Sequence, residues 1–299
     1  MRLPCLFPAL TTPFENTRFA AGRLADNLAR YESCGIRGFL VLGSTGEAPY
    51  LEPDERAEIV RTARRALPTG CVLMAGVGQE STAATIRLAR EAADAGADVV
   101  LVLTPFYFRE SMTAEALERH FTAVADACPV PILLYHVPKF TGLRMPGEVA
   151  FRLSGHPNVA GLKDSSGDPA WMREVLAGVP PSFQVLCGSA VQFASALDLG
   201  AAGGVLAAAD VFPEPLLRVA ALAAQGDRAG AAELNREIAG SCGAIVGAGI
   251  PAIKAALDLR GLYGGPPRPP LLELEPGARE SIREAIDEVV DRGLAPKTL

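Results

Sequence analysis

The sequence predicts a (β/α)8 barrel carrying a C-terminal helical extension. Three observations lead there: eight short apolar runs recur along the first three quarters of the chain, helix-like stretches separate them, and the glycine fingerprint of a dinucleotide-binding open sheet is missing after the first run. The runs span residues 6–11, 38–42, 71–77, 99–103, 131–137, 159–163, 183–187 and 203–207. They are rich in Val, Leu, Ile and Ala without strict alternation, as parallel strands buried on both faces should be.

Start and stop signals mark the helices between the runs. Pro53-Asp54-Glu55 opens one, with proline early and acids in the first turn. Ser81-Thr82 precedes a stretch that stops at Gly96, and Thr113 caps another that ends before Pro129. Strands alternating with helices of this length imply right-handed crossovers and a parallel sheet. From residue 226 the rhythm changes: 227–245, 250–259 and 276–292 read as helices with no strand between them. The stretch Gly264-Gly265-Pro266-Pro267-Arg268-Pro269-Pro270 reads as a stiff connector, because its prolines fix φ and cannot donate to a helix. The chain thus divides into a barrel over 1–225 and a helical region over 226–299; 299 residues are within the usual length of one such barrel.

Composition excludes several function classes. A formal charge of −6 argues against a nucleic-acid surface, which needs clustered excess Lys and Arg. No apolar run approaches the roughly 18 residues that cross a bilayer. The start, Met1-Arg2-Leu3-Pro4-Cys5 with further prolines at 8 and 13, does not read as a signal peptide. The six cysteines (5, 34, 71, 128, 187, 242) are scattered without C-x-x-C spacing, so they are expected as small buried side chains in a reduced, cytoplasmic setting.

In a barrel, reacting groups come from the C-terminal ends of strands and the loops after them. That rule selects Gly43-Ser44-Thr45-Gly46-Glu47, Thr104-Pro105-Phe106-Tyr107, Tyr135-His136-Val137-Pro138, Lys163-Asp164-Ser165-Ser166-Gly167-Asp168 and Gly188-Ser189. The chain has only four lysines (139, 163, 254, 297), and Lys163 alone directly follows an apolar run. Desolvation disfavours an ammonium ion and makes a neutral amine available to attack a carbonyl. By itself Lys163 fits either that nucleophile or a side chain that reaches water or pairs with Asp164; its companions favour the first. Tyr135 ends the neighbouring strand, where a phenol with Ser44 as partner would relay protons, or would simply be a rim aromatic. Ser44, Thr45 and Gly43 form either a carboxylate cradle or an ordinary strand-to-helix turn. Ser165 and Gly188 are further pocket-lining candidates, and Tyr107 is a surface aromatic or an oligomer contact.

Histidines 120, 136 and 156 lie far apart, and no metal set or dissociable cofactor is expected. His120 reads as a solvent or packing residue. His136 alternates with Tyr135 and so points to the opposite face, although its place at a strand end keeps it among the pocket candidates. No phosphate-binding loop or G-x-S-x-G elbow appears, which leaves phosphoryl transfer and serine hydrolysis without their parts.

With these motifs the chain resembles the dihydrodipicolinate synthase and N-acetylneuraminate lyase family of pyruvate-dependent class I aldolases. The resemblance extends from Pro8-Ala9-Leu10-Thr11-Thr12-Pro13-Phe14 to the final helices. It implies that Lys163 forms an imine with pyruvate, that Tyr135 and Ser44 relay protons, and that Thr45 with backbone near Val205-Leu206 binds the keto-acid carboxylate. It also implies that Tyr107 reaches a neighbouring subunit's site, hence a homodimer or homotetramer, with a small 2-keto acid as the molecular partner. One departure bears on substrate. The synthases carry an Arg just before Thr-Gly, and Phe140 stands there before Thr141-Gly142; a phenyl ring cannot hold a carboxylate, which disfavours the synthase reaction unless Lys139 turns inward. The look is closest to 4-hydroxy-2-oxoglutarate aldolases, through His156-Pro157-Asn158 and Tyr263-Gly264-Gly265-Pro266 among others. Retro-aldol cleavage of such a substrate is the leading expectation. Condensation as in the synthases, cleavage of sialic or deoxy sugar keto acids, and a keto-acid sensor without turnover are the alternatives.

Overall fold

The computed structural model describes residues 2–299. Ten strands occur in chain order: β1 (Leu6–Pro8), β2 (Phe14–Glu15), β3 (Arg18–Phe19), β4 (Gly38–Val41), β5 (Val72–Gly76), β6 (Val99–Leu103), β7 (Ile132–His136), β8 (Val159–Asp164), β9 (Gln184–Cys187) and β10 (Gly203–Leu206). Eight of them form one parallel sheet ordered β1-β10-β9-β8-β7-β6-β5-β4. The parallel bridge Ala9–Leu40 joins its two ends and closes the barrel. Seven of the eight expected runs contain their strand entirely; β8 extends one residue past its run, to Asp164. The antiparallel hairpin β2-β3 was not expected, since two-residue strands carry no periodicity to read.

The strands lack alternation because both of their faces are buried. Phe7, Leu40, Met74, Leu101, Leu133, Leu186 and Val205 fill the barrel axis. Leu6, Phe39, Val41, Leu73, Val100, Leu134 and Val185 face the surrounding helices. Each such side chain contributes about 1.5–3 kcal/mol by leaving water. Phe7 fits inside only because its neighbour is Gly38, where a Cβ would lie 2.7 Å from the Phe7 ring.

The expected caps are in place. Ser81 accepts the Ala84 N–H and Thr113 accepts the Ala116 N–H, each at 3.2 Å. Beyond residue 225 come the helices Arg228–Gly247, Ile250–Leu259 and Pro276–Asp291. They pack on the barrel: Leu234, Ile238, Cys242, Ile245 and Leu257 belong to the same apolar cluster as the strand faces above. Among the described residues no helix is long and apolar enough to cross a membrane. Cys71, Cys128, Cys187 and Cys242 are buried as expected, whereas Cys5 is exposed and Cys34 half-buried.

His120 is a packing residue. It sits between two outer helices with Nδ1 2.9 Å from the Thr82 hydroxyl, and its Nε2 is buried without a partner. Burial pushes its pKa from 6.5 down to about 4. The unfolded chain therefore takes up this proton first, so stability is lost as pH falls from the unfolded value of 6.5 through 4. Denaturant midpoints at pH 7 and pH 4.5 should differ more for the wild type than for His120→Gln; equal differences would assign the acid sensitivity elsewhere.

Candidate active site

The centre of the site is set by how β7 and β8 pair. Along β7 Leu133 and Tyr135 face the barrel axis, while Ile132 and Leu134 face the helices. Along β8 Val159 faces outward, and strict alternation from it would turn Lys163 outward too. The register shifts between Ile132 and Leu133, whose partners are Val159 and Gly161, so β8 carries one extra residue there. Such a bulge exchanges the two faces downstream of it. Leu162 then faces the helices and Lys163 turns inward, beside its register partner Tyr135. Gly161 permits the bulge, because a Cβ there would lie 1.9 Å from the Gln184 carbonyl oxygen on β9.

Lys163 and Tyr135 are buried, and the lysine Nζ lies 4.5 Å from the tyrosine ring centroid. Both line a cavity of about 420 Å³ at the C-terminal end of the barrel. Ser44, Thr45, Ser165 and Gly188 line it as well, with Phe140 and Val191 at the mouth, 58% and 51% exposed. Much of the outer wall comes from the C-terminal helices, through Gly243, Val246, Ile250 and Ile253. Cys242 stands in the same wall, and burial pushes its thiol up to about 12, which keeps it neutral. Ser44 and Tyr135 also border a neighbouring cavity of about 290 Å³ that contains Arg56, Gln79 and Glu80.

The turn after β4 is tightly wound. The N–H groups of Gly46 and Ala48 bond to the Gly43 carbonyl, and that of Glu47 to the Ser44 carbonyl. No protein acceptor among the described residues takes the N–H groups of Ser44 and Thr45. Leu42 and Glu47 bracket the turn with φ of 58° and 56°, a left-handed conformation that non-glycine residues adopt at a cost.

Four sequence candidates fall elsewhere. His136 is buried on the outer face, because it follows an inward Tyr135; its ring packs on Trp171 with centroids 4.1 Å apart. Its Nδ1 lies 2.9 Å from Asp164 Oδ1, and Asp164 also accepts the Ser166 N–H at 2.9 Å and hydroxyl at 3.1 Å. This outer pair thus braces the loop that follows Lys163. Leu206 likewise turns outward and Val205 lines the cavity in its place. Gly43 borders the neighbouring cavity only. Tyr107 is 75% exposed and lines neither cavity of its own chain. Its loop is held down where Glu80 accepts the N–H groups of Phe106 and Tyr107, at 3.0 and 2.8 Å.

Residues 3–289 match the Dihydrodipicolinate synthetase family. The chain belongs to that family. Members of the dihydrodipicolinate synthetase family are lyases that hold pyruvate as a lysine Schiff base and need no external cofactor, and this chain is a carbon–carbon lyase of that class. It is 33% identical to the 4-hydroxy-tetrahydrodipicolinate synthase of Natronomonas pharaonis, over 95% of this chain and 97% of that one. It is 32% identical to a protein of Emericella nidulans named "Probable 4-hydroxy-2-oxoglutarate aldolase, mitochondrial", over 93% and 91% of the two chains. Among solved structures, the chloride-inhibited dihydrodipicolinate synthase of Acinetobacter baumannii complexed with pyruvate superposes with a TM-score of 0.91, at 28% identity over 99% and 100%.

Sequence reasoning missed part of this family member's cavity. Val191 lies two residues past Gly188-Ser189, so loop position was a usable signal, and Ser166, Ser189 and Lys139 line the cavity from within or beside the motifs already named. Gly243, Val246 and Ile250 gave none, being small and apolar residues on helices far along the chain. Lys254, which the sequence places only on the expected helix 250–259, is fully buried against Glu47. Its apolar setting, Ile250-Pro251-Ala252-Ile253-Lys254-Ala255-Ala256-Leu257, was the available signal.

Proposed function

We propose that Lys163 is the imine-forming lysine and that the reaction is retro-aldol cleavage of a 4-hydroxy-2-keto acid of the 4-hydroxy-2-oxoglutarate type. The observation that carries this reading is the pairing of Lys163 with Tyr135 inside one cavity, the amine 4.5 Å from the phenol ring centroid. The Lys163 amine adds to C2 of the keto acid, and loss of water gives the imine. The keto-acid carboxylate is received by the N–H groups of Ser44 and Thr45. The imine then withdraws electrons as the C3–C4 bond breaks, while Tyr135, with Ser44 as its partner, takes the proton of the C4 hydroxyl. An aldehyde leaves. The enamine regains a proton at C3, and hydrolysis releases pyruvate and the free lysine.

Lys139 is the one other cation lining the cavity among the described residues, and it is assigned the far carboxylate of the substrate. The second reading is condensation, favoured by the synthase name of relatives such as that of N. pharaonis. Phe140 weighs against it. Phe140→Arg should raise the rate of pyruvate condensation with aspartate semialdehyde by roughly tenfold or more, the value of one charge-assisted contact. Pyruvate release from a panel of 4-hydroxy-2-keto acids tests the cleavage reading directly. Fast condensation by the wild type with no cleavage of the panel would replace it.

A homo-oligomer is part of this proposal. Tyr107 and Phe108 are 75% and 71% exposed on one loop, an apolar patch of the kind that partner chains cover. So is a reduced, cytoplasmic setting, with which six free cysteines are compatible.

A further inference from the structure

The turn that offers the Ser44 and Thr45 N–H groups is strained at both ends, at Leu42 and Glu47. Such conformations persist only where the surroundings over-determine them. At Glu47 the surroundings come from the far end of the chain. The Glu47 carboxylate is buried, with Oε1 2.6 Å from Lys254 Nζ and Oε2 accepting the Arg268 N–H at 2.7 Å. Lys254 Nζ also donates to the carbonyls of Thr12 and Pro266, both at 2.8 Å, above the Phe14 ring at 4.4 Å. The Thr12 hydroxyl in turn donates to the Gly46 carbonyl at 2.7 Å. Lys254 lies on the helix Ile250–Leu259, which also places Ile250 and Ile253 in the cavity wall.

We propose that Glu47 and Lys254 are positioning residues: their buried ion pair holds the Leu42–Glu47 turn so that the Ser44 and Thr45 N–H groups face the keto-acid carboxylate. The inference rests on the assignment of that carboxylate to Ser44 and Thr45 made above. Neither residue lines the cavity, so both act through the turn. Removing one partner leaves the other charge buried and lets the turn relax. The amine of Lys163 is untouched.

The test is borohydride trapping over a range of pyruvate concentrations, read by intact mass, with steady-state kinetics on a cleaved keto acid. In Glu47→Gln, which keeps the shape and removes the charge, half-saturation for pyruvate and KM should both rise about tenfold, one lost charge-assisted contact. The fully trapped fraction at saturating pyruvate should be unchanged. Lys254→Met should behave alike, and Lys254→Arg should recover most of the loss. Wild-type half-saturation in a folded Glu47→Gln or Lys254→Met overturns the proposal. Equal loss in Lys254→Arg and Lys254→Met also overturns it, since charge then plays no part. Where a single variant does not fold, the exchange Glu47→Lys with Lys254→Glu decides: recovery of affinity supports the pair, and a folded exchange without recovery refutes it. Failure of the wild type itself to trap pyruvate is a different outcome, and sinks the imine assignment rather than the positioning role.

Discussion

Lys163→Ala is expected to abolish the pyruvate adduct that borohydride fixes on the wild-type protein. Without the amine, C2 of the keto acid stays a ketone, and a ketone draws electrons from the breaking C3–C4 bond far less well than an imine does. The loss in kcat should reach about 10⁴-fold or more, as when the nucleophile of a covalent mechanism is removed. Pyruvate binding should weaken much less, because the N–H groups of Ser44 and Thr45 remain. Folding should survive: the change deletes one charged side chain at the cavity wall and leaves the β7–β8 register intact. Intact mass after reduction, with calorimetric binding of pyruvate, separates the two effects. An adduct of undiminished yield in Lys163→Ala would move the imine to another lysine, and Lys139 is then the residue to replace.

Tyr135→Phe is expected to lower kcat by roughly 10²–10⁴-fold, the range for a positioned acid–base group. The ring still fills its place beside Lys163, so the cavity keeps its shape and the lysine keeps its neighbour. Only the proton carrier is gone. Imine formation and C3–C4 cleavage both move protons, so trapping should slow as well as turnover, while the adduct formed at long times should reach the wild-type yield. Time-resolved trapping distinguishes this from a packing effect, which would lower the yield and the melting temperature together. Turnover within a few-fold of wild type would remove Tyr135 from the proton path.

How much of this was legible in the sequence depended on the range of the interactions involved. The eight barrel strands were readable because an apolar run between helix caps is a local pattern, and Ser81 and Thr113 act within a single turn. The cluster of Ser44, Thr45, Tyr135, Lys163 and Gly188 was readable from topology, since strand ends of a parallel barrel meet on one face. The outward turn of His136 followed from simple alternation with Tyr135. A strand-end position by itself therefore does not bring a side chain into the cavity.

Lys163 marks the boundary between the two sources. Sequence by itself determined that a lone lysine ends the sixth apolar run beside a tyrosine-ended strand. It did not determine which way that lysine points. Counted from Val159 the side chain should leave the barrel, and only the extra residue of β8, fitted against β7 and packed with Gly161 on the Gln184 carbonyl of β9, turns it inward. The pairing of Lys254 with Glu47, and the wall built from Val246 and Ile250, were decided in the same way. Each depends on contacts between segments far apart in the chain, whose geometry exists only once the barrel has closed and the last helices have packed across its mouth.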